Sequence, residues 1–193
     1  MIKNILLITL LTLGSLQTLA QQATSTASDT QNPVVVIHTS KGPITLELYP
    51  DQAPISVDNF LTYVQSGFYE GTIFHRVKKR FMIQAGGYTS SLDKKSVKEP
   101  IVNESNNGLH NDRWTIAMAR TDEPNSATSQ FFINTQMNSS LNSRGNKPGY
   151  AVFGIVTDGQ YVVKAIEKTE TTRIKSFLNL PTKPIFIERV EIK

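Results

Sequence analysis

Cysteine is missing from all 193 residues. That excludes a disulfide framework, a thiolate nucleophile and a zinc–thiolate site. Histidine occurs three times, and His38 and His110 have no partners at metal-ligand spacing, so no metal is expected. The Ser, His and Asp residues form no nucleophile motif. There is a single tryptophan, and the net charge of +4 is diffuse. The Lys-rich turns carry no interleaved aromatics on which bases could stack, which argues against a nucleic-acid partner. No repeats and no internal linker are visible, and the length suits one domain with a sizeable core.

The N-terminus carries the one long apolar run. Lys3 precedes Ile5 to Leu19, and Thr18-Leu19-Ala20 places small residues at the two cleavage-determining positions. Residues 1–20 therefore read as an export signal cut after Ala20, too short for a comfortable membrane span. No cysteine follows to take a lipid. The expected location is periplasmic or secreted, with no membrane attachment after cleavage, and a cysteine-free chain suits an oxidising compartment. Residues 21–32 are polar and aperiodic and read as a flexible tether. The folded domain spans 33–193.

Within it, Val34 to Thr39 and Ile44 to Tyr49 flank a Lys41-Gly42-Pro43 turn and predict a hairpin. Pro50 to Ser56 reads as a loop. Val57, Phe60, Leu61 and Val64 recur at helical spacing, and Gly67 sits where a left-handed residue would end that helix. Ser90 to Asn111 reads as a long surface loop. Strands follow at Trp114–Ala119, Ser129–Asn134 and Tyr150–Val156. A second short helix carries Val162, Val163 and Ile166 on one side. Thr169 to Pro184 reads as loop, and Ile185 to Ile192 closes the chain as a strand. Many short strands with two helices predict a mainly β fold built on one closed sheet.

Phe74-His75-Arg76-Val77 and Phe81-Met82-Ile83-Gln84 flank the basic turn Lys78-Lys79-Arg80. Alternation puts His75 and Val77 on one face of the first run and Phe74 and Arg76 on the other. An arginine beside large apolar side chains and an amide suits a pocket for an uncharged, partly apolar substrate. Taken alone, the stretch fits a solvated arginine beside ordinary core residues better.

Together with Met118-Ala119-Arg120, Ser129-Gln130-Phe131-Phe132-Ile133 and Tyr150-Ala151-Val152-Phe153-Gly154, these runs resemble the cyclophilin family of peptidyl-prolyl isomerases. The resemblance extends from Pro33 to the C-terminus and is strongest to the exported bacterial branch. It implies a closed eight-stranded antiparallel β-barrel capped by two helices, with its active site on the outer wall. By motif position, Arg76 is similar to the catalytic arginine. Phe81, Met82, Phe132 and Leu141 fall at the proline pocket, and Gln84 and Gln130 at substrate hydrogen-bonding positions. Ala119 and Arg120 match the segment whose backbone pairs with the peptide, and Tyr150 stands where many members have histidine. Phe131 is expected inside the barrel and Phe132 in the pocket. His75 is expected beside the site without a chemical role. The resemblance implies no cofactor; its partners are proline-containing segments of unfolded or exported proteins, and a monomer is the default.

The chemistry explains the residue types. Rotation about an X-Pro bond meets a barrier of about 18–20 kcal/mol from amide resonance. Lowering it needs no bond broken, so no nucleophile or cofactor is required. Arginine stays protonated and presents donors in a fixed plane toward the twisted amide. A binder that holds proline segments in the same groove without catalysis is the competing reading.

The chain also departs from the pattern. Ser140 replaces a frequent aromatic, so the pocket is expected to be open there and cyclosporin-type ligands to bind weakly. Arg80 and Ala85 stand where glycine is common, and Arg80 would strain a turn that needs positive φ. The basic turn is either a solvated surface feature or a positive field that favours acidic peptides. The sequons at Asn103 and Asn138 are read as chance.

Overall fold

The computed structural model describes residues 31–193; the export signal and all but the end of the tether lie outside the described residues. Strands β1 (Val34–Thr39) and β2 (Gly42–Leu48) form the first hairpin. Helix α1 (Pro54–Gln65) follows, then β3 (Arg76–Lys78), β4 (Met82–Ala85), β5 (Thr115–Met118), β6 (Phe131–Asn134) and β7 (Val152–Asp158). Helix α2 (Gln160–Glu167) precedes β8 (Thr171–Ile174), β9 (Phe177–Pro181) and β10 (Ile187–Ile192). Eight strands make one antiparallel sheet in the order β10-β1-β2-β7-β5-β6-β4-β3.

The sheet curls until its edges approach. They meet just before β3 and β10 rather than along a full ladder. Gly71 N–H donates to Ile187 O at 2.9 Å, Ile187 N–H to Thr72 O at 2.8 Å and Phe74 N–H to Ile185 O at 2.9 Å. Those bonds satisfy backbone groups that an open edge would expose.

The interior is one apolar cluster fed by the inward residue of each alternating pair. Ile37, Leu46, Ile83, Ile116, Phe131, Ile133 and Phe153 are fully buried there. Both helices contribute to it, α1 through Val57, Phe60 and Val64, and α2 through Val162, Val163 and Ile166. Phe60 meets Phe131 edge-on at 5.6 Å. Each such buried side chain is worth about 1.5–3 kcal/mol.

Helix α1 starts earlier than the apolar spacing suggests, inside the stretch expected to be loop. Pro54 occupies its first turn, where a missing N–H costs nothing. Its N-cap, Ala53, has no capping side chain. The carboxylate of Glu104, in the long polar loop, accepts from Ile55 N–H at 3.0 Å and Ser56 N–H at 2.7 Å. At the other end Gly67, at φ +66°, takes the left-handed conformation. Gly67 N–H reaches Val64 O and Phe68 N–H reaches Tyr63 O, a Schellman stop.

Two further expectations are corrected. The stretch from Thr169 to Pro184 contains the β8–β9 hairpin. All of β8 is solvent-exposed, so no buried face imposed an alternating pattern. Its Lys175-Ser176 turn also lacks the usual Gly or Asn, although Lys175 adopts φ +53°. Phe74 and Val77 both face the interior, against the alternation expected over Phe74–Val77. Regular strand geometry begins only at Arg76, so a period of two does not extend back to Phe74.

Candidate active site

The outward faces of the same strands build the site. Across the ladders, Arg76 stands opposite Gln84, Gln84 opposite Phe132, Phe132 opposite Ala117 and Ala117 opposite Val152. Directly opposed residues share a face, so this row crosses β3, β4, β6, β5 and β7 on the barrel's outer wall. Met82, Ala117, Phe132 and Val152 are buried there as a second, smaller apolar cluster, with Phe81, Leu109, Ala119, Leu141 and Tyr150 packed against it. Phe131 points inward and Phe132 outward.

Above this floor lies a hollow of about 170 Å³ lined by Arg76, Phe81, Met82, Gln84, Ala119, Arg120, Phe132, Leu141 and Tyr150. It is smaller than the roughly 300–1,000 Å³ of drug-sized sites and suits a single small ring. Gln130 does not line it; its Oε1 accepts from Gln84 Nε2 at 3.0 Å. Gln84 Oε1 accepts from Arg76 Nη1 at 3.3 Å. The guanidinium is thus aimed by an amide that is itself held by a second amide.

Arg120 does more than supply backbone. Its Nε donates to Gly149 O and its Nη2 to Pro148 O, both at 3.0 Å, and its guanidinium lies 4.6 Å from the Tyr150 ring centroid. Tyr150 in turn meets Phe132 edge-on at 5.6 Å. The Ala119 N–H is committed to Gln130 O at 2.9 Å, so Ala119 offers a ligand its methyl and carbonyl. Gly149 must be glycine, because a Cβ there would sit 2.4 Å from Ser143 N and 2.5 Å from Leu141 O. Ser140 is exposed on a 3₁₀ turn, Ser139–Leu141, and is not among the residues that line the hollow.

Sequence reasoning missed the amides behind the wall. Asn111, Asn134 and Asn138 are almost completely buried. Asn138 Nδ2 donates to Phe81 O at 2.8 Å and Asn134 Oδ1 at 2.6 Å. Asn134 Nδ2 donates to Asn111 Oδ1 at 3.2 Å, and Asn111 Nδ2 reaches Leu141 O and Tyr150 O at 3.3 and 3.2 Å. The cluster fixes the backbone of three lining residues. A polar residue ending the apolar run Phe131-Phe132-Ile133-Asn134 was the available signal. The same bonds make the Asn138 sequon inaccessible in the folded protein. The Asn103 amide is likewise engaged with Pro124 O and Gly149 O.

His75 is buried beside the site, 5 % exposed. Burial, with a smaller contribution from the Arg76 charge, lowers its pKa to about 4, so the imidazole is neutral at neutral pH. Arg76 therefore stands as a cation beside an uncharged neighbour.

A curled antiparallel barrel carrying a cation, an amide relay and an aromatic floor on its outer wall defines a peptide-handling β-barrel protein. The chain belongs to the cyclophilin family: the family profile, cyclophilin type peptidyl-prolyl cis-trans isomerase/CLD, matches residues 34–192. It is a peptidyl-prolyl cis–trans isomerase. It is 52% identical over 161 residues to peptidyl-prolyl cis-trans isomerase cyp18 of Streptomyces antibioticus, covering 82% of this chain and 97% of that one. To peptidyl-prolyl cis-trans isomerase B of Escherichia coli it is 47% identical over 162 residues, covering 82% and 99%. A solved Cryptosporidium parvum cyclophilin type isomerase, crystallised in the presence of the dipeptide ala-pro, superposes with a TM-score of 0.69 at 29% identity, covering 83% of this chain and 98% of that one.

Proposed function

We propose that the outer-wall hollow is where this isomerase turns X-Pro bonds, and that its substrates are proline-containing segments of exported proteins during folding. The observation that carries the reading is Arg76, aimed by Gln84 over the rim of a hollow floored by Phe132. The prolyl ring rests on Phe132 and Met82, shielded from water. The Arg76 guanidinium donates to the amide nitrogen as it regains its lone pair, or holds the proline's own carbonyl. No bond is made or broken, and the carbonyl before the proline swings while the ring stays fixed. A charge-assisted hydrogen bond contributes about 1.5–3 kcal/mol. The rest of the acceleration comes from a site that fits the twisted amide better than the planar one.

Export rests on the leader-like residues 1–20 and on the lack of cysteine. Cell fractionation with N-terminal sequencing of the mature chain tests it, with Gln21 as the expected first residue. Full-length protein retained in the cytoplasm contradicts it. The ala-pro dipeptide with the parasite relative supports prolyl peptides as ligands.

A proline-peptide isomerisation assay of the wild type and Arg76→Ala tests the catalytic role. The wild type is expected to be fast and the variant slow, both binding peptide. Equal rates place catalysis elsewhere, and two equally slow proteins that bind peptide point to a holdase using the same groove.

A further inference from the structure

Arg76 and Gln84 line not one hollow but two. On their far side lies a second concavity of about 310 Å³, walled by His75, Tyr88, Gln130 and the tip of the β8–β9 hairpin. Isomerisation as described above makes no use of it, yet three of its rings pack as a closed triangle, with His75 also edge-on to Phe177 at 6.4 Å. His75 meets Tyr88 edge-on at 4.8 Å, and Tyr88 meets Phe177 edge-on at 4.9 Å. The triangle's outer members, Tyr88 and Phe177, stay partly exposed and offer ring edges and faces to a further aromatic. Leu178, next along the hairpin, is left 51 % exposed at the rim. The Arg76 guanidinium, between the two concavities, is also a favourable neighbour for a ring face.

We infer that this concavity is a specificity subsite that accepts an aromatic side chain of the same peptide, within one or two residues of the proline. The inference rests on the proposed seat of the proline over Phe132. Continuity supports it: a peptide with its proline in the first hollow has its neighbouring residues over the shared Arg76–Gln84 wall. Phenylalanine and tyrosine both suit it, because the match rests on ring edges and faces. An acidic side chain attracted by Arg76 is the rival occupant.

The test uses proline peptides that differ only in a flanking residue, set to alanine, leucine, phenylalanine, tyrosine or glutamate. Turnover is followed as kcat/KM and binding by titration calorimetry. Aromatic peptides are expected to exceed the alanine peptide by about three- to tenfold, through KM and Kd rather than kcat. That ratio should fall to unity in Phe177→Ala, which removes the outer ring. It should also fall to unity in Ser176→Trp, which fills the concavity from an exposed turn position. A flat series, a preference for glutamate, or a ratio that survives both variants overturns the inference. The two readings fail separately. Aromatic preference in Kd without Arg76-dependent turnover keeps the subsite and removes the proposed catalytic seat; Arg76-dependent turnover with no preference does the reverse.

Discussion

Arg76 and Gln84 face each other across the β3–β4 ladder, and the guanidinium donates to the amide oxygen at 3.3 Å. Gln84 passes its own N–H to Gln130, so the cation is steered without being neutralised. Removing it in Arg76→Ala should lower kcat/KM by about 10- to 150-fold, the equivalent of one charge-assisted hydrogen bond. Gln84→Glu should also slow turnover, because the introduced carboxylate pairs with the guanidinium and competes with substrate. That loss should ease as the carboxylate is protonated below about pH 4. Peptide isomerisation across a pH series checks both.

His75 gives a pH dependence of opposite origin. Its folded pKa of about 4 lies below the ordinary 6.5 because burial disfavours the imidazolium. As pH falls, the unfolded chain takes up that proton first. The stabilisation is complete above 6.5 and is lost as pH drops through the window toward 4, by about 3 kcal/mol. Urea unfolding of wild type and His75→Gln at about pH 7 and about pH 4 measures it, and the wild type should show the steeper fall.

Asn138 tests the buried amides. Its Nδ2 serves Phe81 O and Asn134 Oδ1 at once. Asn138→Ala should cost about 1–3 kcal/mol in denaturant unfolding and raise KM, since Phe81 loses its tether. Asn138→Asp should cost more, because it sets acceptor against acceptor in a dry site.

Arg80 carries a backbone strain that glycine would not. It sits at φ +54° while its N–H donates to Glu167 Oε1 at 2.8 Å. Arg80→Gly keeps that bond and should raise stability by up to about 1 kcal/mol. If the basic turn acts as a positive field, the same change will weaken the salt dependence of kcat/KM on acidic peptides.

Ser140 is exposed next to Leu141, which lines the hollow. Ser140→Trp should tighten a cyclosporin-type ligand at least about tenfold through new apolar contact, as read by calorimetry, with little change for short prolyl peptides.

What could be read from the chain divides along a physical line. Local periodicity and motif order sufficed for the strands of the eight-stranded sheet, for the opposed faces of Phe131 and Phe132, and for the residues around the hollow except Gln130, which stands behind Gln84. They failed wherever a remote partner sets the outcome. Glu104 caps a helix 49 positions upstream of it, and Asn111, Asn134 and Asn138 meet through folding rather than spacing. The β8–β9 hairpin left no trace because β8 is wholly exposed and lacks the alternation that burial imposes. Phe74 was misplaced because strand geometry starts only after it.

In β4 and β6 neighbouring residues serve separate masters. Ile83 and Ile133 belong to the interior, while Met82, Gln84 and Phe132 belong to the groove. Specificity can therefore be retailored by varying outward positions alone, on a scaffold whose packing stays untouched. A one-residue slip of β4 would do the opposite, exchanging greasy filling for working surface in a single step.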